Sequence, residues 1–147
     1  MALVVLGSRR VTRDFDFVVT TPGAELPRLL DAFYDQGLAL ASRVNAVGDV
    51  TAVIDNRRVA AARLQIDAPS SAYFHEPRTG LRIDLLFDYP LPAAELAQRA
   101  TRIRIGATLL RVASEADLLR LKRLARRPHL PGDAEDIAFL EGRQQTE

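Results

Sequence analysis

The segment Leu81 to Phe87 reads Leu-Arg-Ile-Asp-Leu-Leu-Phe, which is the composition of a strand near the centre of a sheet with one carboxylate in it. An acid in such a strand needs a partner, because an unpaired buried charge is costly. A fold that accepts this segment therefore has to supply Asp84 with a counter-charge. The run Asp14-Phe15-Asp16-Phe17 adds to that demand. Side chains alternate along a strand, so Asp14 and Asp16 share one face while Phe15 and Phe17 point the other way, toward a core. Two like charges side by side repel unless a cation lies between them. If the two strands are neighbours, Asp14, Asp16 and Asp84 form one oxygen-rich cluster suited to a divalent metal.

Composition narrows which metal. The chain has no cysteine and only two histidines, His75 and His129, so disulfides, thiolate nucleophiles and cysteine- or histidine-rich zinc sites are excluded. Oxygen ligands favour Mg²⁺ or Mn²⁺. A length of 147 residues fits one domain, with a core over about 1–112 and C-terminal helices over about 114–141. The net charge of +1 makes the whole chain no polyanion magnet, although arginines cluster locally. Met1 to Gly7 is apolar but too short to span a bilayer, and no other stretch is long and uncharged enough. These features predict a soluble, cytoplasmic protein with no membrane partner.

Apolar periodicity and turn residues organise the chain as an α/β (α+β) fold, a mixed sheet flanked by helices with a C-terminal helix pair. Ala2 to Leu6 reads as a buried strand stopped by Gly7-Ser8. Phe15 to Val19 reads as a strand. Leu26, Leu29, Leu30 and Phe33 predict a helix over Glu25 to Gln36, ended by Gly37. Leu38 to Arg43 reads as a strand. Asp49 to Arg58 fits either a helix or a strand. Ala61 to Ile66 reads as a strand, and Pro69 to Gly80 as a polar turn region. After Leu81 to Phe87 come a short helix over Ala93 to Ala100 and a hairpin around Gly106-Ala107. A helix opened by Ser114 runs to Arg127 and is stopped by Pro128, with Asp117 as a capping-box partner. A last helix runs from about Gly132 to Glu141. Asp67 and Asp88 fall near loops and read as solvated.

Gly7-Ser8 could present backbone N–H groups and a hydroxyl to a phosphate; for Gly-Ser alone an ordinary turn is the better reading, and the phosphate reading draws its value from the position just upstream of the paired acids. Arg9, Arg10 and Arg13 crowd the same loop and could screen the acids or hold phosphates. Lys122 sits inside the apolar arc of its helix, between Leu118 and Leu119, and not with Arg120, Arg123, Arg126 and Arg127. It either snorkels to solvent or reaches an anion. Asp133 and Asp136 share a face of the last helix, and Asp136 is the expected partner of Lys122 across the helix pair.

The ordered set of Leu-Gly-Ser, Thr-Arg-Asp-Phe-Asp-Phe-Val-Val, Leu-Arg-Ile-Asp-Leu-Leu-Phe and the Lys122…Asp136 helix pair resembles the DNA-polymerase-β-like nucleotidyltransferase superfamily. Within it, the likeness is to small bacterial members of the abortive-infection and toxin–antitoxin type, and it covers Val4 to Leu140. The resemblance implies transfer of a nucleoside monophosphate from a nucleoside triphosphate such as ATP to an acceptor hydroxyl, with release of pyrophosphate. Asp14 and Asp16 would hold Mg²⁺ or Mn²⁺, and Asp84 would complete the site and help deprotonate the acceptor. Gly7, Ser8, Arg13 and Lys122 would hold the triphosphate, and Lys122 and Asp136 match the terminal motif. The acceptor could be RNA, a protein or a small molecule. Only Arg9 to Arg13 separate Gly-Ser from the first acid, fewer residues than the family places there. That departure favours the alternative, a catalytically inactive binding or regulatory module of the same fold with a partner protein, as in a toxin–antitoxin pair.

Overall fold

A computed structural model describes residues 14–125 and 131–144. The strand expected at Ala2 to Leu6, the loop residues Gly7, Ser8, Arg9, Arg10 and Arg13, and the helix stop at Pro128 lie outside the described residues. The described residues fall into two compact units that divide between Tyr89 and Pro90.

The first unit is a five-stranded mixed sheet with two helices. Its strands are β1 (Asp14–Val19), β2 (Ala39–Val44), β3 (Val50–Ile54), β4 (Ser71–Glu76) and β5 (Leu81–Phe87). They lie in the order β1-β5-β4-β2-β3. β1 and β5 run parallel, and the other pairs are antiparallel. Helix α1 (Leu26–Asp35) follows a 3₁₀ turn at Gly23–Glu25, and α2 is Arg57–Asp67. Leu26 and Leu30 of α1 and Ala60 and Leu64 of α2 are buried in one cluster with Leu40, Ala72, Phe74 and Leu85. The Phe33 ring stacks on Phe74 with centroids 4.4 Å apart. The sheet residues in that cluster all belong to one face, so the other face of the same strands is left for polar chemistry.

Two expectations are corrected here. Ala61 to Ile66 is helical, as part of α2, and not a strand. The Asn56 side chain caps its start by accepting from the N–H groups of Arg58 and Val59. Ala60 and Leu64, four residues apart, then put the apolar stripe on the sheet. Pro69 to Gly80 is not all turn, since β4 occupies Ser71–Glu76. Its alternation is plain once the face is known, with Ala72, Phe74 and Glu76 buried between half-exposed neighbours. The ambiguous Asp49 to Arg58 resolves into β3 and the start of α2.

The second unit holds α3 (Ala93–Arg99), the antiparallel ribbon β6 (Thr101–Ile105) and β7 (Thr108–Val112), α4 (Glu115–Leu124) and α5 (Pro131–Gln144). Gly106, at φ 60°, supplies the left-handed residue that a two-residue hairpin turn needs. Ser114 caps α4 as expected, its Oγ accepting from the Asp117 N–H. Among the described residues, no helix is long and apolar enough to cross a membrane.

Candidate functional site

The face of the sheet turned away from α1 and α2 carries the acids. The parallel register sets Asp14 beside Arg82 and Asp16 beside Asp84. On the other side of β5, the antiparallel register sets Tyr73 beside Asp84 and His75 beside Arg82. Residues directly opposed on paired strands point to the same face, and neighbouring strands lie about 4.8 Å apart. Asp14, Asp16, Arg82, Asp84, Tyr73 and His75 therefore form one polar patch on three adjacent strands. The condition that the two acid-bearing strands be neighbours is met.

Within the patch, Asp84 is the least exposed acid, with its side chain 15% accessible and that of Arg82 19%. Arg82 Nε donates to Asp84 Oδ1 at 2.7 Å and Nη2 donates to Oδ2 at 3.2 Å. Such a paired contact is the strong form of an arginine–carboxylate bond. Arg82 Nη1 donates to the Gly48 carbonyl at 2.8 Å, and the guanidinium lies 4.3 Å from the centroid of the Tyr73 ring. Four independent contacts thus fix the guanidinium against the acids.

Electrostatics agrees with this geometry. Burial raises the Asp84 pKa above the ordinary aspartate value, and the negative charges of Asp16 and Asp14 push it further the same way. Arg82 opposes both by hydrogen bond and charge. The acids therefore act on one another through a shared field, and Arg82 supplies the cation that this field requires.

The donor set, carboxylate oxygens alone, suits a hard divalent ion such as Mg²⁺ or Mn²⁺. The side-chain placement does not gather it. Among the described residues, no three histidine or acidic side chains converge closely enough to hold a metal ion. A divalent ion would have to draw Asp84 away from Arg82.

The expected packing of Phe15 and Phe17 is only partly met. Both lie on the face opposite the acids, yet Phe17 is 41% exposed and neither joins the core cluster. Among the described strands β1 lies at one edge of the sheet, and of its residues only Val19 packs against the core that α1 and α2 cover. Asp88, read as solvated, instead accepts from the Thr21 N–H at 2.9 Å and holds a left-handed conformation at φ 50°. Its own N–H donates to the Val19 carbonyl, tying the end of β5 to that of β1.

In the second unit, Lys122 Nζ meets Asp136 Oδ2 at 2.8 Å, as the helix pattern predicts. Asp136 is 4% exposed and Lys122 32%, so the lysine spans from a buried acid toward solvent. Asp117, whose N–H Ser114 caps, also gathers arginines. It is 1% exposed and takes both Nε and Nη2 of Arg99 at 2.9 Å, with Arg120 Nη1 at 3.1 Å. Those bonds, Arg99 foremost, hold its pKa below the ordinary value. Gly7, Ser8 and Arg13 lie outside the described residues.

Sequence reasoning assigned no role to Arg82, Tyr73 or His75. Arg82 was legible, since a residue two before Asp84 on a strand must share its face. Tyr73 and His75 were hidden by the reading of β4 as a turn. No protein-family model and no curated protein sequence matches this chain.

Proposed function

We propose that this chain is a metal-dependent nucleotidyltransferase that moves a nucleoside monophosphate from a nucleoside triphosphate to an acceptor hydroxyl. The observation that carries the reading is the parallel register of Asp16 against Asp84, with Asp14 two residues earlier on the same face. Asp14, Asp16 and Asp84 would hold Mg²⁺ or Mn²⁺. A divalent ion supplies the charge that binds phosphate oxygens and favours ionisation of the acceptor. The acceptor oxygen forms a bond to the α-phosphorus, the α–β anhydride breaks, and pyrophosphate leaves. Asp84 takes the acceptor proton, a role favoured by burial, which strengthens a carboxylate as a base.

A second reading rests on Arg82. Its two-point grip on Asp84 neutralises that acid without a metal, as in a binding or regulatory module that keeps the fold and has lost the reaction. A thermal-shift panel separates the two. Each of the four ribonucleoside triphosphates is added with and without Mg²⁺ or Mn²⁺, to the wild type and to the D14A/D16A variant. Nucleotide at about 100 times its dissociation constant stabilises by roughly 2.7 kcal/mol. The transferase reading expects a metal-dependent shift that the variant loses. No shift with any nucleotide, or a shift the variant keeps, selects the inactive module.

A further inference from the structure

The ribbon β6–β7 is charged in a way the isolated fold does not favour. Its register sets Arg102 directly opposite Arg111, and Arg104 opposite Leu109. All four side chains therefore belong to one face of the ribbon, and all four residues are exposed. Like charges directly opposed across two strands are destabilising. Nothing local offsets them, because residues 100–114 hold three arginines and no acid. None of the three arginines makes an ion pair or side-chain hydrogen bond among the described residues. This differs from Arg57, Arg63, Arg82, Arg99, Arg120 and Arg123, each of which holds a carboxylate.

We infer that the face bearing Arg102, Arg104 and Arg111 docks on the phosphodiester backbone of a nucleic acid. The partner's chemistry follows from the shape and charge of the face. A five-residue strand is about 17 Å long, and a two-stranded ribbon has no walls to enclose a small anion. The guanidinium groups start from positions about 5–7 Å apart, two along β6 and the third across from Arg102 on β7, all of one sign. Three like charges this close on one open face match a polyanion whose own charges recur at close spacing, as phosphates do. Arginine forks suit phosphate oxygens in particular. The face carries no aromatic side chain, so it offers phosphate contact without base stacking and should be indifferent to sequence. A docked backbone turns the Arg102–Arg111 repulsion into shared attraction.

This inference goes beyond the proposed reaction and does not depend on the acids of the first unit. It is tested on the full chain in EDTA, without nucleotide. Fluorescence anisotropy is read with a labelled single-stranded RNA and a labelled DNA duplex of arbitrary sequence, from 50 to 200 mM salt. R102Q/R104Q/R111Q is compared with R28Q/R43Q/R58Q, which removes equal charge from exposed positions of the first unit. The expected result is wild-type binding to at least one probe, with log affinity falling linearly in log salt. The ribbon variant should lose at least tenfold in affinity at 50 mM, and its salt slope should shrink by about two to three, since each phosphate contact adds about 0.7–0.9. The control variant should stay within about twofold of wild type. Which probe binds tells single-stranded from duplex partners. No wild-type binding to either probe overturns the inference, as does equal weakening by both variants or wild-type affinity in the ribbon variant. Circular dichroism of both variants confirms that the fold is kept.

Discussion

Arg82 and Asp84 stand two residues apart on β5 and close a two-point ion pair at 2.7 and 3.2 Å, directly beside Asp16 on β1. On the proposed metal-dependent reading, a divalent ion would bind where this guanidinium now holds Asp84. The two cations would then compete for one carboxylate, and the strength of that competition can be measured.

Replacing Arg82 with Gln removes the counter-charge and leaves Asp84 facing Asp16 in a half-buried setting. In EDTA the variant should lose about 1.5–3 kcal/mol, the range for a hydrogen bond to a charged group. In excess Mg²⁺ or Mn²⁺ the loss should shrink, because the ion replaces the guanidinium. Urea denaturation of both proteins with and without metal reads this directly. A deficit that is the same in EDTA and in metal would mean the acids gather no ion, and would favour the inactive module.

Glu76, a buried acid on the opposite face of the sheet, has a different task. It faces the core side of β4 and closes the turn to β5, accepting from the N–H groups of Arg78 and Thr79 and from the Thr79 hydroxyl. These bonds, the Thr79 hydroxyl first, lower its pKa from 4.5 to about 2. A carboxylate whose folded pKa is depressed contributes stability that is complete above its unfolded value and fades as pH falls through the folded value. The gap in stability between wild type and Glu76→Gln should therefore be widest above pH 4.5 and should close as pH falls toward 2. Chemical denaturation across that range checks it, and a gap independent of pH would contradict the assignment.

The sequence made the acids legible and hid what surrounds them. Asp84 in an apolar run, and Asp14 and Asp16 two apart, declare a shared face by alternation alone. Their adjacency in the sheet was conditional on pairing, which no local pattern encodes. The Lys122–Asp136 contact was also readable, because a lysine within an apolar helical arc has few ways to satisfy its charge. β4 was misread because Ser71, Tyr73 and His75 alternate with Ala72, Phe74 and Glu76, so each face mixes polar and apolar residues and only burial reveals which set faces the core. α2 was misread because its apolar stripe is thin. Ala60 and Leu64 carry the buried face, while Val59 and Ile66 are exposed. Phe17 was placed in the core because alternation gives a face, not what covers it.

Asp117 should behave as a structural acid and not as a catalytic one. Both of its oxygens are taken by Arg99, with Arg120 and Ser114 adding to them. Asp117→Asn keeps the shape but turns an amide N–H₂ toward cations. It should cost about 2 kcal/mol, within the range for charged hydrogen bonds. Ser114→Ala should cost about 1 kcal/mol through loss of the cap. Denaturation gives both values. Hydrogen exchange should show faster opening in α3 and α4, with β4 and β5 unchanged. An effect of Asp117→Asn as large in β5 as in α4 would refute a local role.

The ribbon supplies the clearest separation of stability from function. Arg102 opposes Arg111 across an exposed pair, and threonine at the same position suits a strand better and carries no charge. Arg102→Thr should stabilise the protein by about 0.2–1 kcal/mol, the usual range of one cross-strand pair. The gain should be largest at low salt, where repulsion is least screened, and should shrink by 1 M, where the Debye length is about 3 Å. If the ribbon meets a nucleic-acid backbone, the same substitution should weaken that binding while the fold improves. Thermal melting at 10 mM and 1 M salt measures the first effect, and anisotropy on the same samples the second. A loss of stability on Arg102→Thr at low salt would show that the arginine is held by favourable contacts, and would remove the physical tension from which the binding role was argued.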